Sequence, residues 1–211
     1  MRTQLVALCL LALFASASSC NQGSPRGNAS TASQPRLSSP APASSPSPVI
    51  THLFADCTSA APQGTRVDTG TRDGLTLIRP EGWTDTSNDS EGGFFQLTAP
   101  ASYGYAPTTF TLAQPIGILP ESTTAYDITR QEIAAAAARH ASFTAGPIFD
   151  CQVGSDPASF FLYADGGTTG YELYVIHNRL LYGALLASTG GMSDRTVGVY
   201  KGIVGSWTFA V

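Results

Sequence analysis

Charge is scarce in this chain of 211 residues: 12% are Asp, Glu, Lys or Arg, and Lys201 is the single lysine. The arginines are scattered and the net charge is −4. A nucleic-acid binder is not expected, because phosphate neutralisation needs clustered cations. A coiled coil is not expected either, since it needs abundant charged helix formers. The chain has no GxxxxGK[ST] or GxGxxG run, so nothing builds a phosphate cradle. Its three histidines, His52, His140 and His177, stand far apart and outside any H-E-x-x-H spacing, which argues against a catalytic zinc site. Glycine (21) and proline (14) are plentiful instead, as suits a strand- and loop-rich exported protein.

The N-terminus carries an address. Arg2 precedes an apolar run from Leu5 to Phe14, and small residues follow to Ser19. That order is a secretory signal peptide, residues 1–20. The run is too short to cross a bilayer, which needs about 20 apolar residues. The segment closes Ala17-Ser18-Ser19-Cys20, which resembles the lipobox of bacterial lipoproteins, with Ala17 where that family usually has Leu. The resemblance implies that Cys20 becomes the mature N-terminus. It would carry a thioether-linked diacylglycerol and an N-acyl chain such as palmitate. Two or more chains anchor a protein stably to a membrane. In the competing reading, cleavage follows Ala17 and Cys20 remains a thiol.

Residues 21–48 are rich in Ser, Pro and Ala, and Leu37 is their one large apolar side chain. Such a segment buries too little to offset chain entropy, so it is expected to be a disordered linker. One folded domain is expected over 49–211. Of the four cysteines, Cys9 falls in the signal and Cys20 is assigned to lipid. Cys57 and Cys151 are left in an exported domain, where thiols oxidise, and a disulfide is expected. Closing so long a loop is worth about 4 to 5 kcal/mol in the chain-entropy model. Two free buried thiols are the alternative. Neither cysteine has a second ligand at CxxC or CxxH spacing, so no metal site is expected.

Alternation and breakers predict strands over 75–78, 94–98, 109–113, 148–153, 158–163, 171–176 and 180–187. A helix is predicted over 122–142, capped by Thr124 with Asp127, with Tyr126, Ile133, Ala137 and His140 along one face. A second is predicted over 193–205, with Ser193 as N-cap and an apolar stripe of Val197, Tyr200, Val204 and Trp207. A turn is expected at His177-Asn178. Strands, helix, strands, helix reads as α+β with a mainly antiparallel sheet.

This order resembles the PsbP-like fold. Bacterial lipoproteins of the LpqN type and the Mog-type Ran-binding protein share it with the extrinsic PsbP subunit of photosystem II. Ile78-Arg79-Pro80-Glu81-Gly82-Trp83 is similar to the family's P-x-G-W segment, and Ser206-Trp207-Thr208-Phe209 to its C-terminal S-F-x-F. The resemblance covers about residues 70 to 211. It implies an antiparallel sheet flanked by helices in an α/β/α sandwich, and a binding, assembly or stabilising role rather than catalysis. No family site residue maps onto this chain.

The remaining chemical patterns have plain readings. Gly166-Gly167-Thr168-Thr169-Gly170 has the shape G-x-T-x-G but joins two predicted strands, so it is expected to be a hairpin loop and not a nucleophile elbow. The Asp85–Glu91 loop alternates oxygens as a Ca²⁺ loop does. It has Ser90 and Gln96 where an EF-hand needs Gly and Glu, and is expected to be a solvated acidic loop. Phe160, Tyr163, Tyr171, Tyr174 and Tyr182 are expected in the core, with an exposed recognition face as the alternative. Trp83 and Trp207 are expected as core anchors. No catalytic residue, cofactor or metal is expected. The expected function is a non-catalytic, lipid-anchored cell-envelope protein that binds a protein partner or supports an assembly. The alternative is a carrier or sensor of a small apolar ligand. A clickable fatty acid fed to producing cells should label the wild-type protein and not Cys20→Ala; equal labelling contradicts the lipid assignment.

Overall fold

The computed structural model describes residues 52–71, 73–87, 94–101 and 108–210. The expected signal peptide, Cys20, the linker and residues 88–91 of the acidic loop lie outside the described residues. In chain order the elements are β1 (His52–Phe54), β2 (Gly64–Asp68), β3 (Thr76–Pro80), β4 (Thr84–Asp85), β5 (Phe95–Thr98), β6 (Thr108–Leu112), β7 (Ile116–Ile118) and α1 (Ala125–Arg139). They continue with β8 (Thr144–Ala145), β9 (Ile148–Val153), β10 (Asp156–Asp165), β11 (Thr168–His177), β12 (Leu180–Thr189) and α2 (Asp194–Gly205). The main sheet runs β1-β9-β10-β11-β12-β6-β5-β4, with β7 added to β12 and β8 to β10. Every pair in it is antiparallel except β1 with β9. β2 and β3 form a separate hairpin. The chain is α+β with a mainly antiparallel sheet, as expected.

The turns follow local chemistry. Gly166 and Gly167 both have positive φ between β10 and β11. Asn178 (φ 48°) and Arg179 (φ 66°) join β11 to β12, the backbone of a type I′ hairpin turn. The turn therefore sits one residue later than expected, and His177 is the last residue of β11.

Side-chain alternation gives the long strands two buried faces. On one, Phe149, Phe160, Tyr171 and Tyr200 form an aromatic ladder from β9 through β10 and β11 to α2, with ring centroids 4.9, 4.6 and 4.8 Å apart. Offset and tilted rings at these spacings stabilise beyond the area they bury. The Tyr200 hydroxyl donates to the Ala184 carbonyl at 2.9 Å, so the ladder ends on a satisfied polar group. On the other face, Phe161, Tyr163, Tyr174 and Leu185 pack against Ile133 and Ala136 of α1. All five aromatics left open by the sequence are core.

Both helix caps are as expected. Thr124 Oγ1 accepts from the Asp127 N–H at 3.1 Å, and Ser193 Oγ from the Thr196 N–H at 3.2 Å. The helix faces are corrected. In α1 the buried residues are Ala125, Thr129, Glu132, Ile133 and Ala136, while Ala137 is exposed and Tyr126 and His140 are half-buried. Five consecutive alanines give no contrast from which to read the buried side. In α2, Tyr200, Ile203 and Val204 are buried and Val197 half-buried; Trp207 lies past the C-cap, Ser206, and is half-buried.

The Cys57–Cys151 disulfide forms, with Cα atoms 5.9 Å apart, and ties the segment after β1 to β9. That segment then crosses α2, where a Cβ on Gly205 would come within 2.4 Å of the Ser59 carbonyl oxygen. Only glycine admits the backbone there. After α2, Thr208 bridges to Thr76, and Phe209 stacks on His177 with centroids 3.7 Å apart. Trp83 is 4% exposed within the α2-side core, whereas Trp207 only packs against it. Urea denaturation should give a loss of about 3 to 5 kcal/mol for Trp83→Ala and about 1 to 2 kcal/mol for Trp207→Ala. Equal losses would mean that the two indoles are equally buried.

Candidate functional site

Among the described residues two histidine–carboxylate pairs carry groups suited to acid–base chemistry. His177 Nδ1 lies 2.8 Å from Asp156 Oδ2, the pairing that orients an imidazole base. Its Nε2, the position that would serve a nucleophile, instead meets the side-chain amide of Asn178 at 3.0 Å, and the ring is covered by Phe209. His140 lies 3.1 Å from Asp165 Oδ2, and the Ser142 hydroxyl donates to the other oxygen of that carboxylate. The acid is thus shared by histidine and serine, standing between them rather than behind the histidine. Gly166 and Gly167 form a hairpin turn, as expected, and no helix follows. Among the described residues no group of three or more His, Cys, Asp or Glu is placed to hold a metal. In the acidic loop, Asp85 Oδ1 accepts from the Ser87 N–H at 3.0 Å.

An open groove of about 1040 Å³ lies at the β1 end of the sheet. It is lined by Phe54 of β1 and Asp56 after it, by the α1 N-cap Thr124 with Tyr126, and by Asp150 and Gln152 of β9 beside the disulfide. β1 is a terminal strand of the sheet. Phe54 is 83% exposed, the most exposed large apolar side chain among the described residues. Sequence reading missed this place. β1 has three residues and shows no alternation, and its parallel pairing with β9 joins residues almost a hundred apart.

Beneath α1 lies a second feature that the sequence did not signal. Thr129 and Ser159 share a hydrogen bond between α1 and β10. Near them two carboxyls are buried, Glu132 of α1 (6% exposed) and Glu172 of β11 (3% exposed). The Tyr174 hydroxyl donates to Glu172 Oε1. Glu172 Oε2 and Glu132 Oε2 are buried with no hydrogen-bond partner. Burial pushes the Glu132 carboxyl up to about 7, with Arg139 pulling it down. Burial likewise pushes Glu172 up to about 7, opposed by the Tyr174 hydrogen bond and reinforced by Glu132. Both acids therefore hold protons over a range where an ordinary glutamate is ionised.

No family model matches the chain, and no curated protein matches it. Among solved structures, it is similar to cyanobacterial PsbP (CyanoP) from Synechocystis sp. PCC 6803, at 12% identity and a TM-score of 0.48, over 69% of this chain and 92% of that one. It is also similar to a Pseudomonas aeruginosa protein of unknown function described as a putative regulator, at 15% identity and a TM-score of 0.40, over 60% of this chain and 84% of that one. A Bacteroides thetaiotaomicron VPI-5482 protein matches at 12% identity and a TM-score of 0.43, over 71% of this chain and 49% of that one.

Proposed function

We propose that this chain is a non-catalytic protein of the bacterial cell envelope, anchored by lipid at Cys20, whose folded domain binds a protein partner or supports an assembly. It is read as a PsbP-like lipoprotein of the LpqN type. Two segments carry that reading, and they meet in the fold: Ser206 Oγ accepts from the Ile78 N–H at 2.8 Å, joining the C-terminal segment to the strand that leads into Pro80-Glu81-Gly82-Trp83.

The observation that carries the binding role is the groove at the sheet edge. A terminal strand offers backbone groups along its outer side for another chain to pair with. Here that strand also presents Phe54, which is large and largely in water. Exposed aromatic side chains beside a concavity are typical anchors of protein interfaces. The groove is open and includes the carboxylates of Asp56 and Asp150. A carrier of a small apolar ligand needs an enclosed, mostly apolar cavity instead.

The test uses envelope membranes and the lipidated protein, with covalent cross-linking and mass spectrometry to name the partner. Phe54→Asp should weaken retention of that partner at least tenfold. Ile118→Asp, at an exposed apolar position on β7, should leave it unchanged. Equal retention by the two variants would overturn the assignment to the β1 groove.

A further inference from the structure

A buried carboxylate without donors is costly, and an unpartnered buried carboxyl oxygen is costly even when its group is neutral. The interface between α1 and the sheet contains two such buried, unpartnered carboxyl oxygens. Glu132 enters it from the helix and Glu172 from the strand beneath, each with one buried oxygen that meets no donor. Within the sheet, β9 to β12 contain no Lys or Arg to neutralise either charge.

We propose that Glu132 and Glu172 form a pH-sensitive latch, which holds α1 on the sheet while both carboxyls carry protons and loosens α1 when they ionise.

The groups around the pair set its sign. From α1, Arg139 favours ionised Glu132. From β11, Tyr174 favours ionised Glu172 through its hydrogen bond. Tyr163 and Asp165 of β10 and Asp150 of β9 are the other titratable groups that alternate onto the α1 side of these strands, and none of them is a cation; Asp156, Tyr171 and His177 alternate onto the α2 side. His140, just past α1, is turned to Asp165. Desolvation exceeds the two favourable contacts, so the docked helix binds protons more tightly than the released one. Both carboxyls have folded values raised from 4.5 to about 7. The stabilisation is thus complete below about 4.5, falls as pH rises, and is lost once pH passes about 7. Each proton released multiplies the opening equilibrium by up to about tenfold per pH unit inside that window. Thr124 and Tyr126 lie at the start of α1 and also line the groove, so a looser α1 reshapes it. That regulatory consequence rests on the proposed binding role; the latch does not, and its test needs no partner.

The full chain, labelled with ¹³C at the glutamate carboxyls and held in zwitterionic detergent, is titrated by NMR. Glu132 and Glu172 should show midpoints above about 6. Amide exchange, corrected for its intrinsic pH dependence, should show α1 losing protection relative to α2 by more than tenfold between pH 5 and pH 7. Replacing both residues, Glu132→Gln with Glu172→Gln, should abolish that change. Midpoints below about 5.5 for both carboxyls, or a constant α1-to-α2 ratio in the wild-type chain, would overturn the latch. Both of these readings come from the unmodified protein, so they decide the matter even if the double variant fails to fold.

Discussion

An antiparallel meander of three ten-residue strands has two faces to cover, and β10, β11 and β12 have theirs covered in different ways. The α2 face is closed by aromatic rings that pass from strand to strand and end on Tyr200. Its one buried hydroxyl in that ladder with a partner, on Tyr200, is satisfied by a backbone carbonyl. The chain reinforces this face from both ends. The disulfide pins the segment after β1, and the residues after α2 fold back onto β3 and His177. Burial of aromatic and aliphatic area, a term of about 25 cal/mol per Å², is the force on this side.

The α1 face is built on weaker terms. Alanine dominates the middle of the helix, so the fully buried apolar side chains of α1 are Ala125, Ile133 and Ala136, with Tyr126 and Ile128 half-buried beside them. The Thr129–Ser159 hydroxyl pair and the buried carboxyls of Glu132 and Glu172 occupy much of the rest of the interface. Such an interface is directional and places titratable groups in contact, whereas the aromatic face is held by apolar burial. The groove lies where this weaker face meets the terminal strand. A binding surface placed there is free to change shape without disturbing the meander.

Much of this was legible in the sequence because it is local. The long strands alternate, the caps Thr124 and Ser193 announce their helices, and with Cys9 and Cys20 expected in an export signal Cys57 has one partner left. The misses are non-local. His177 reads as a turn residue until the left-handed pair Asn178-Arg179 takes that place and Asp156 and Phe209 fix the ring. The face of α1 cannot be read from a run of alanines, so the burial of Glu132 was hidden, and with it the partnership with Glu172. Trp207 fits a helical period but falls after the helix has ended. β1 is too short for a pattern, and its pairing with β9 exists only in three dimensions.

The central claim is that the meander and its aromatic face form the cooperative core, with α1 docked on it as a separable layer. Native-state amide exchange at increasing urea tests this most directly, because it ranks segments by the free energy of opening. The account predicts that amides of β11 and β12 exchange only through global unfolding, together with α2, while α1 opens at lower free energy. Amides of α1 as protected as those of β11 at every urea concentration, or β11 opening before α1, would contradict it.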